Sequence, residues 1–253
     1  MKLGFKKALN IYTDVSADSI IVPGTETKIT LLSPGFLVLF GEHIVFKQHC
    51  IIIDDTTSIG EMTAINMAVS WCKYIKNEFG KNKFNIFTDS ESSIFAIKNY
   101  MNKYDTFSEE KFTPNTKKDR HPGLIRITDE VAYNIVTNEL DINFIFIPAH
   151  TRIDININKI VGQMKKKILI KNPTIKSKMP DWKIYDILVG NAAIDSFTRQ
   201  YLLKYKEDVT KEITESNIIF NVKREYPLMW KPETNLDTLS DNISHYFLPS
   251  FIN

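Results

Sequence analysis

Four carboxylates in this 253-residue chain stand where side chains can meet around hard cations. Asp14 closes the apolar strand pattern Leu9-Asn10-Ile11-Tyr12-Thr13-Asp14, and Asp89 closes Phe84-Asn85-Ile86-Phe87-Thr88-Asp89. Glu61 opens a stretch of helical apolar spacing from Glu61 to Ile75, and Asp195 follows Gly190-Asn191-Ala192-Ala193-Ile194 just inside another. Acids at strand ends and helix starts can converge above one edge of a sheet. Converging carboxylates repel one another, and a divalent cation relieves that repulsion. Taken singly, each acid has an ordinary reading. Asp14 and Asp89 suit strand-end turns, Glu61 suits the positive end of a helix dipole, and Asp195 suits a solvated helix face. The ordered set is what points to chemistry. No histidine or cysteine cluster with zinc spacing competes with it.

The elements that must position these acids follow from periodicity. A first strand spans about Asn10 to Asp14, followed by a polar stretch from Ser16 to Thr27. Further strands are predicted over Gly35–Phe40 and Cys50–Ile53. Met62, Ile65, Ala68, Cys72 and Ile75 recur at helical spacing, so a helix buries one face after Glu61. A strand over Phe84–Phe87 and a helix from Ser90 to Tyr100 come next. Lys103 to Gly123 reads as a loop containing Pro114 and Pro122 and the basic residues Lys117, Lys118 and Arg120. A helix over Thr128–Leu140, capped by Thr128 or Asp129, precedes a strand over Asn143–Ile147 that Pro148 stops. A Lys-rich insertion, about 151–187, is too long for a structureless loop, so it is expected to hold a helix over Ile153–Leu169 and to cover one edge of the site. The last long helix is predicted over Val189–Tyr205, with a strand-like run at Ile218–Val222 beyond it. Strands first, then strands alternating with helices, predict an α/β fold with a mixed sheet.

Composition is that of a globular protein, 43% hydrophobic and 25% charged. A net charge of +2 excludes a polycation, so any nucleic-acid affinity must come from local patches. Cys50 and Cys72 lie in apolar patterns and read as buried thiols of a reducing compartment. No apolar run approaches membrane-spanning length, and the basic start lacks the apolar core of a signal peptide. A soluble, intracellular protein is expected. Residues 8–205 are read as one catalytic domain and 206–253 as a C-terminal extension.

Tyr12-Thr13-Asp14, Thr57-Ser58-Ile59-Gly60-Glu61, Phe87-Thr88-Asp89-Ser90, Pro148-Ala149-His150 and Gly190-Asn191-Ala192-Ala193-Ile194-Asp195 occur in the order seen in type 1 ribonuclease H, which the chain resembles over roughly residues 8–205. The resemblance implies a ribonuclease H-like fold, with a five-stranded mixed sheet flanked by helices. It also implies metal-dependent, endonucleolytic hydrolysis of the RNA strand of RNA/DNA hybrids. Asp14, Glu61, Asp89 and Asp195 would then hold two Mg²⁺ ions, with Mn²⁺ able to substitute, and His150 would assist turnover. Thr57, Ser58 and Asn191 would face substrate. Apart from the resemblance, the charge of the insertion makes Lys165, Lys166 and Lys167 candidates for tracking phosphates, since an acidic site needs cationic surface to offset its repulsion of nucleic acid. The other histidines (His43, His49, His121 and His245) read as structural or exposed. Two positions depart from the family pattern. Thr57, Ser58 and Ile59 stand where asparagines usually precede the glutamate, and Val15 stands where glycine often follows the first aspartate. Two rivals therefore stay open: a DNA-acting nuclease of the same fold, and a catalytically inactive nucleic-acid-binding module of a larger assembly. The sequence is silent on association with a polymerase or reverse transcriptase.

Overall fold

The computed structural model describes residues 8–40, 43–54, 56–105, 110–113, 121–148, 157–173, 180–215 and 228–230. Its centre is a sheet with strands β1 (Leu9–Ile21), β2 (Lys28–Phe40), β3 (His43–His49), β4 (Ile51–Ile53), β5 (Lys83–Thr88), β6 (Asp141–Phe146) and β7 (Leu228–Trp230). The order is β6-β5-β1-β2-β4-β7, and β3 also pairs with β2. The β1–β5 and β5–β6 ladders are parallel, and the other ladders are antiparallel. The sheet therefore has seven strands among the described residues where five were expected. The additional strands are β3, which pairs His43–His49 with the far half of β2 where no strand was expected, and β7, which pairs Leu228–Trp230 with Ile51–Ile53.

Helices cover both faces. α1 (Thr57–Phe79), α2 (Glu91–Met101) and α3 (Pro122–Thr137) lie on one side, and α4 (Ile157–Lys171) and α5 (Asp181–Glu215) on the other. The period-two alternation of β1 divides the core between them. Ile11 is fully buried with Ile65, Val69 and Ile97, while Tyr12 is buried with Val161, Leu188 and Ile194. Each fully buried aliphatic side chain contributes about 1.5–3 kcal/mol. The helix positions are therefore set by their apolar stripes.

Several elements extend beyond their expected bounds, each for a physical reason. The polar stretch after Ser16 is strand, not loop, because β1 pairs with β2 out to Ile21–Lys28. Pro34, which argues against a strand, is accommodated inside β2 because its carbonyl accepts from the Cys50 N–H at 3.2 Å. N–H and C=O of one strand residue point to the same side, so the missing donor falls at the break between β3 and β4. α3 begins at Pro122, six residues before the expected caps. The His121 side chain is its N-cap, with Nδ1 accepting from the Gly123 N–H at 3.2 Å, and Pro122 takes the N1 position that needs no donor. α5 runs without interruption through the expected boundary at 205–206. Beyond it Val209 and Ile213 pack with Ile20, Val22 and Ile29 of the long hairpin. The strand-like run Ile218–Val222 lies outside the described residues.

Candidate active site

β1 and β5 place the first two acids. Their parallel ladder ends at Tyr12 and Phe87, so Asp14, midway along β1, and Asp89, just past the end of β5, each stand two residues beyond its last rung. The rings beneath them stack with centroids 4.6 Å apart and planes at 10°. The ladder stops there, and the Val15 N–H donates to Asp14 Oδ1 at 2.7 Å. That bond fixes the carboxylate to its own strand.

Glu61 arrives from the opposite layer. α1 starts close against β1 because residue 60 is glycine: a Cβ there would lie 2.5 Å from Val15 Cγ2. Ser90 then joins Glu61 to Asp89. Its hydroxyl donates to Glu61 Oε2 at 2.5 Å, and its oxygen caps α2 by accepting from the Ser93 N–H at 3.3 Å. The Ser90 and Ser93 hydroxyl oxygens also lie 2.7 Å apart, which ties the Glu61 contact to the first turn of α2.

Asp195 comes from α5. A Cβ on Gly190 would lie 2.3 Å from Tyr12 Cζ, so glycine lets the helix rest directly on the ring. Two turns on, fully buried Thr198 hydrogen bonds Ser16 of β1 at 3.0 Å between hydroxyls and donates to the Asp195 carbonyl at 3.1 Å. These contacts set the turn that carries Asp195 over the strand that carries Asp14.

The electrostatics record the convergence. Burial first, then Asp89, and more weakly Asp195 and Glu61, push the Asp14 carboxyl up to about 8, against the lowering by the Val15 N–H. Burial also raises Glu61, with the Ser90 hydrogen bond opposing it and Asp89 adding to it. Among the described residues, no group of three or more His, Cys, Asp or Glu side chains stands close enough to enclose one metal ion. The four acids share an electrostatic neighbourhood without forming a closed coordination shell. Their chemistry nevertheless suits a hard cation: every donor is a carboxylate oxygen, and two of the four are placed by neighbouring strands of one sheet.

A cleft of about 740 Å³ opens beside Glu61 and Asp89, lined also by Ser58, Ser90, Glu91, Ser92, Phe95 and Phe146. Of the residues expected to face substrate, Ser58 therefore lines the cleft and Thr57 is exposed at the first turn of α1. Ile59 is fully buried in the core. Asn191 is 8% exposed, so little of it is offered to a ligand. Lys165 pairs with Asp181 at 2.7 Å, while Lys166 and Lys167 are exposed on α4. His150 lies outside the described residues, as do Lys117, Lys118 and Arg120. His49 proves to be packed edge-on to Phe197 and Tyr201, and burial with Lys47 and Lys204 nearby lowers it to about 4. His121 is buried at the start of α3, its Nε2 lying 3.4 Å from Asp54. Sequence reasoning passed over Ser90 and Thr198. Ser90 was visible as the residue after Asp89, whereas the role of Thr198 needs the sheet register.

The strand order and the two helical layers define a mixed α/β protein, a multi-strand mixed sheet flanked by helices. Among solved structures, the chain is similar to a ribonuclease H1 isolated from compost by a metagenomic approach. The identity is 13% and the TM-score 0.39, over 66% of this chain and 96% of that one. No family model matches the chain, and no curated protein matches it. Among the described residues no helix is long and apolar enough to cross a membrane.

Proposed function

We propose that this protein is a metal-dependent endonuclease that hydrolyses the RNA strand of RNA/DNA hybrids. The observation that carries this reading is the pair Asp14 and Asp89 beyond the end of the β1–β5 ladder, joined by Glu61 through Ser90 and by Asp195 through the seating of α5. Asp14, Glu61, Asp89 and Asp195 would hold two Mg²⁺ ions, or Mn²⁺ in their place. A bound pair supplies Lewis acidity for activating water and stabilising the departing oxygen. The rest is the work of the chain. Ser90 keeps Glu61 aimed beside Asp89, and Val15 keeps Asp14 from swinging away. Asp14, its carboxyl raised to about 8 in the metal-free site, would have to release its proton in order to hold a cation. Ser58 and Ser92 line the cleft with hydroxyls that can bond sugar or phosphate oxygens. His150, two residues after Pro148, is assigned to proton handling or product release.

One observation favours a second reading, a DNA-acting nuclease of this fold. Ile59 is buried in the core and cannot recognise a ribose 2′-hydroxyl. Digestion of labelled hybrid, duplex DNA and branched DNA side by side, in Mg²⁺ and in Mn²⁺, separates the two. Hybrid cleavage abolished by Asp14→Asn and by Asp89→Asn is the expected result. No turnover of any substrate with either ion would leave only a nucleic-acid-binding module.

A further inference from the structure

The insertion between β6 and α5 contains α4, which carries five lysines and no acidic residue in 15 positions. A basic helix face is ordinarily just solvated. This one is fastened to the rim of the cleft. Asn172, at its C-terminal end and only 6% exposed, bonds the edge of β6 as another strand would. Its Oδ1 accepts from the Phe146 N–H at 2.8 Å, and its Nδ2 donates to the Phe146 carbonyl at 2.9 Å and to the Ile168 carbonyl at 2.7 Å. Phe146 itself lines the cleft. Next to Asn172 in sequence, Lys171 donates to both carboxylate oxygens of Glu91 at 2.9 Å each, and Glu91 is also a cleft residue. Buried Val161 and Ile168 hold the other face of α4 down, so Lys166, Lys167 and Lys171 share the outer side.

The cleft has the opposite character. Glu61, Asp89 and Glu91 line it, with no lysine or arginine among its lining residues. A polyanion entering there meets repulsion that cations at the rim must offset. Exposed apolar surface is interleaved with these charges: Phe95 is 76% exposed one turn after Glu91, and Ile170 is 67% exposed beside Lys171. Lysines alternating with apolar surface at the mouth of an acidic cleft match a strand of phosphates and bases.

We propose that α4 is a phosphate-tracking ridge, on which Lys166, Lys167 and Lys171 hold the backbone of a nucleic-acid strand as it leaves the cleft. The proposal rests on the same cleft taking nucleic acid. Glu91 keeps Lys171 pointed at the rim, and a backbone phosphate, with two charged oxygens of its own, takes over that contact when the strand binds.

The test measures binding, not cleavage. Full-length protein carrying Asp14→Asn, to stop hydrolysis, is titrated with a labelled 20-nucleotide single strand and with a hybrid duplex at several salt concentrations. Three variants are compared: unmodified α4, Lys166→Gln/Lys167→Gln/Lys171→Gln, and the three lysines changed to arginine. Each phosphate contact contributes about 0.7 to the log–log salt slope for a single strand and about 0.9 for a duplex. The glutamine variant is expected to lower the slope by about 2–3 and the low-salt affinity at least tenfold, whereas the arginine variant keeps both. An unchanged slope and affinity in the glutamine variant, with folding intact by circular dichroism, overturns the ridge. Absence of metal-dependent cleavage by the wild-type chain, with the slope change still present, would refute the nuclease reading and leave the ridge standing.

Discussion

Replacing Asp14 with asparagine should make the metal-free protein more stable above about pH 4, by an amount that grows until about pH 8 and then levels off. The Asp14 carboxyl is raised from 3.8 to about 8, chiefly by burial and by Asp89. The folded state therefore binds this proton more tightly than the unfolded chain does. The stability tied to it is fully present below about pH 4 and is lost as pH rises toward 8. Four units at 1.36 kcal/mol each would give about 6 kcal/mol, roughly halved here because the side chain is only partly buried and can relax toward water. Asparagine keeps the carbonyl oxygen that the Val15 N–H requires and carries no charge against Asp89. Thermal unfolding in chelator at pH 9 should place the midpoint of Asp14→Asn about 5–10 °C above wild type, at 2–4 °C per kcal/mol for a chain of this size. At pH 4 the two should coincide. Millimolar Mg²⁺ should raise the wild-type midpoint at pH 9 and leave the variant nearly unmoved. Equal midpoints at pH 9 would mean that the acids do not press on Asp14, and the convergence argued for the site would fail with them.

Other perturbations probe the scaffold. Gly190→Ala should cost about 1–3 kcal/mol in denaturant unfolding, because the new methyl group meets the Tyr12 ring, and Tyr12→Leu in the same chain should recover part of it. His121→Ala removes both the N-cap of α3 and the neighbour of buried Asp54, and should cost about 2–4 kcal/mol, while exposed His43→Ala should change stability by less than about 0.5 kcal/mol. Asn172→Ala leaves both polar backbone groups of Phe146 without their side-chain partner; amide exchange should accelerate in α4 more than in α1, with a global loss of about 1–3 kcal/mol. Thr198→Val keeps the packing on Gly35 and deletes the hydroxyl shared with Ser16; it should cost about 1 kcal/mol and weaken Mg²⁺ binding measured by calorimetry.

The elements that carry the acids were legible in part because their signal is local. The apolar alternation before Asp14 and Asp89 needs only six residues, and the helix that carries Glu61 is marked by Met62, Ile65 and Ala68, although β1 continues past Asp14 and α1 starts four residues before Glu61. What stayed hidden depends on partners distant in sequence. The polar half of β1 is a strand only because β2 lies beside it, and Pro34 is tolerated only because β3 gives way to β4 at that point. α5 continues past Tyr205 because the distal hairpin offers Ile20, Val22 and Ile29 to Val209 and Ile213. The insertion was expected to contain a helix at the edge of the site, and α4 lies there. Its fastening through Asn172 could not be read from composition, since an asparagine that imitates a strand looks like any other polar residue.

Gly60 and Gly190 grip β1 from opposite faces, one against Val15 and the other against Tyr12. The width of the acidic jaw is thus set by two missing methyl groups. A lineage could exchange most of its core leucines and isoleucines and keep the jaw closed, but enlarging either glycine would wedge a helix outward and pull its acid out of reach. Two hydrogens, carrying no charge and no lone pair, decide how near Glu61 and Asp195 can come to Asp14.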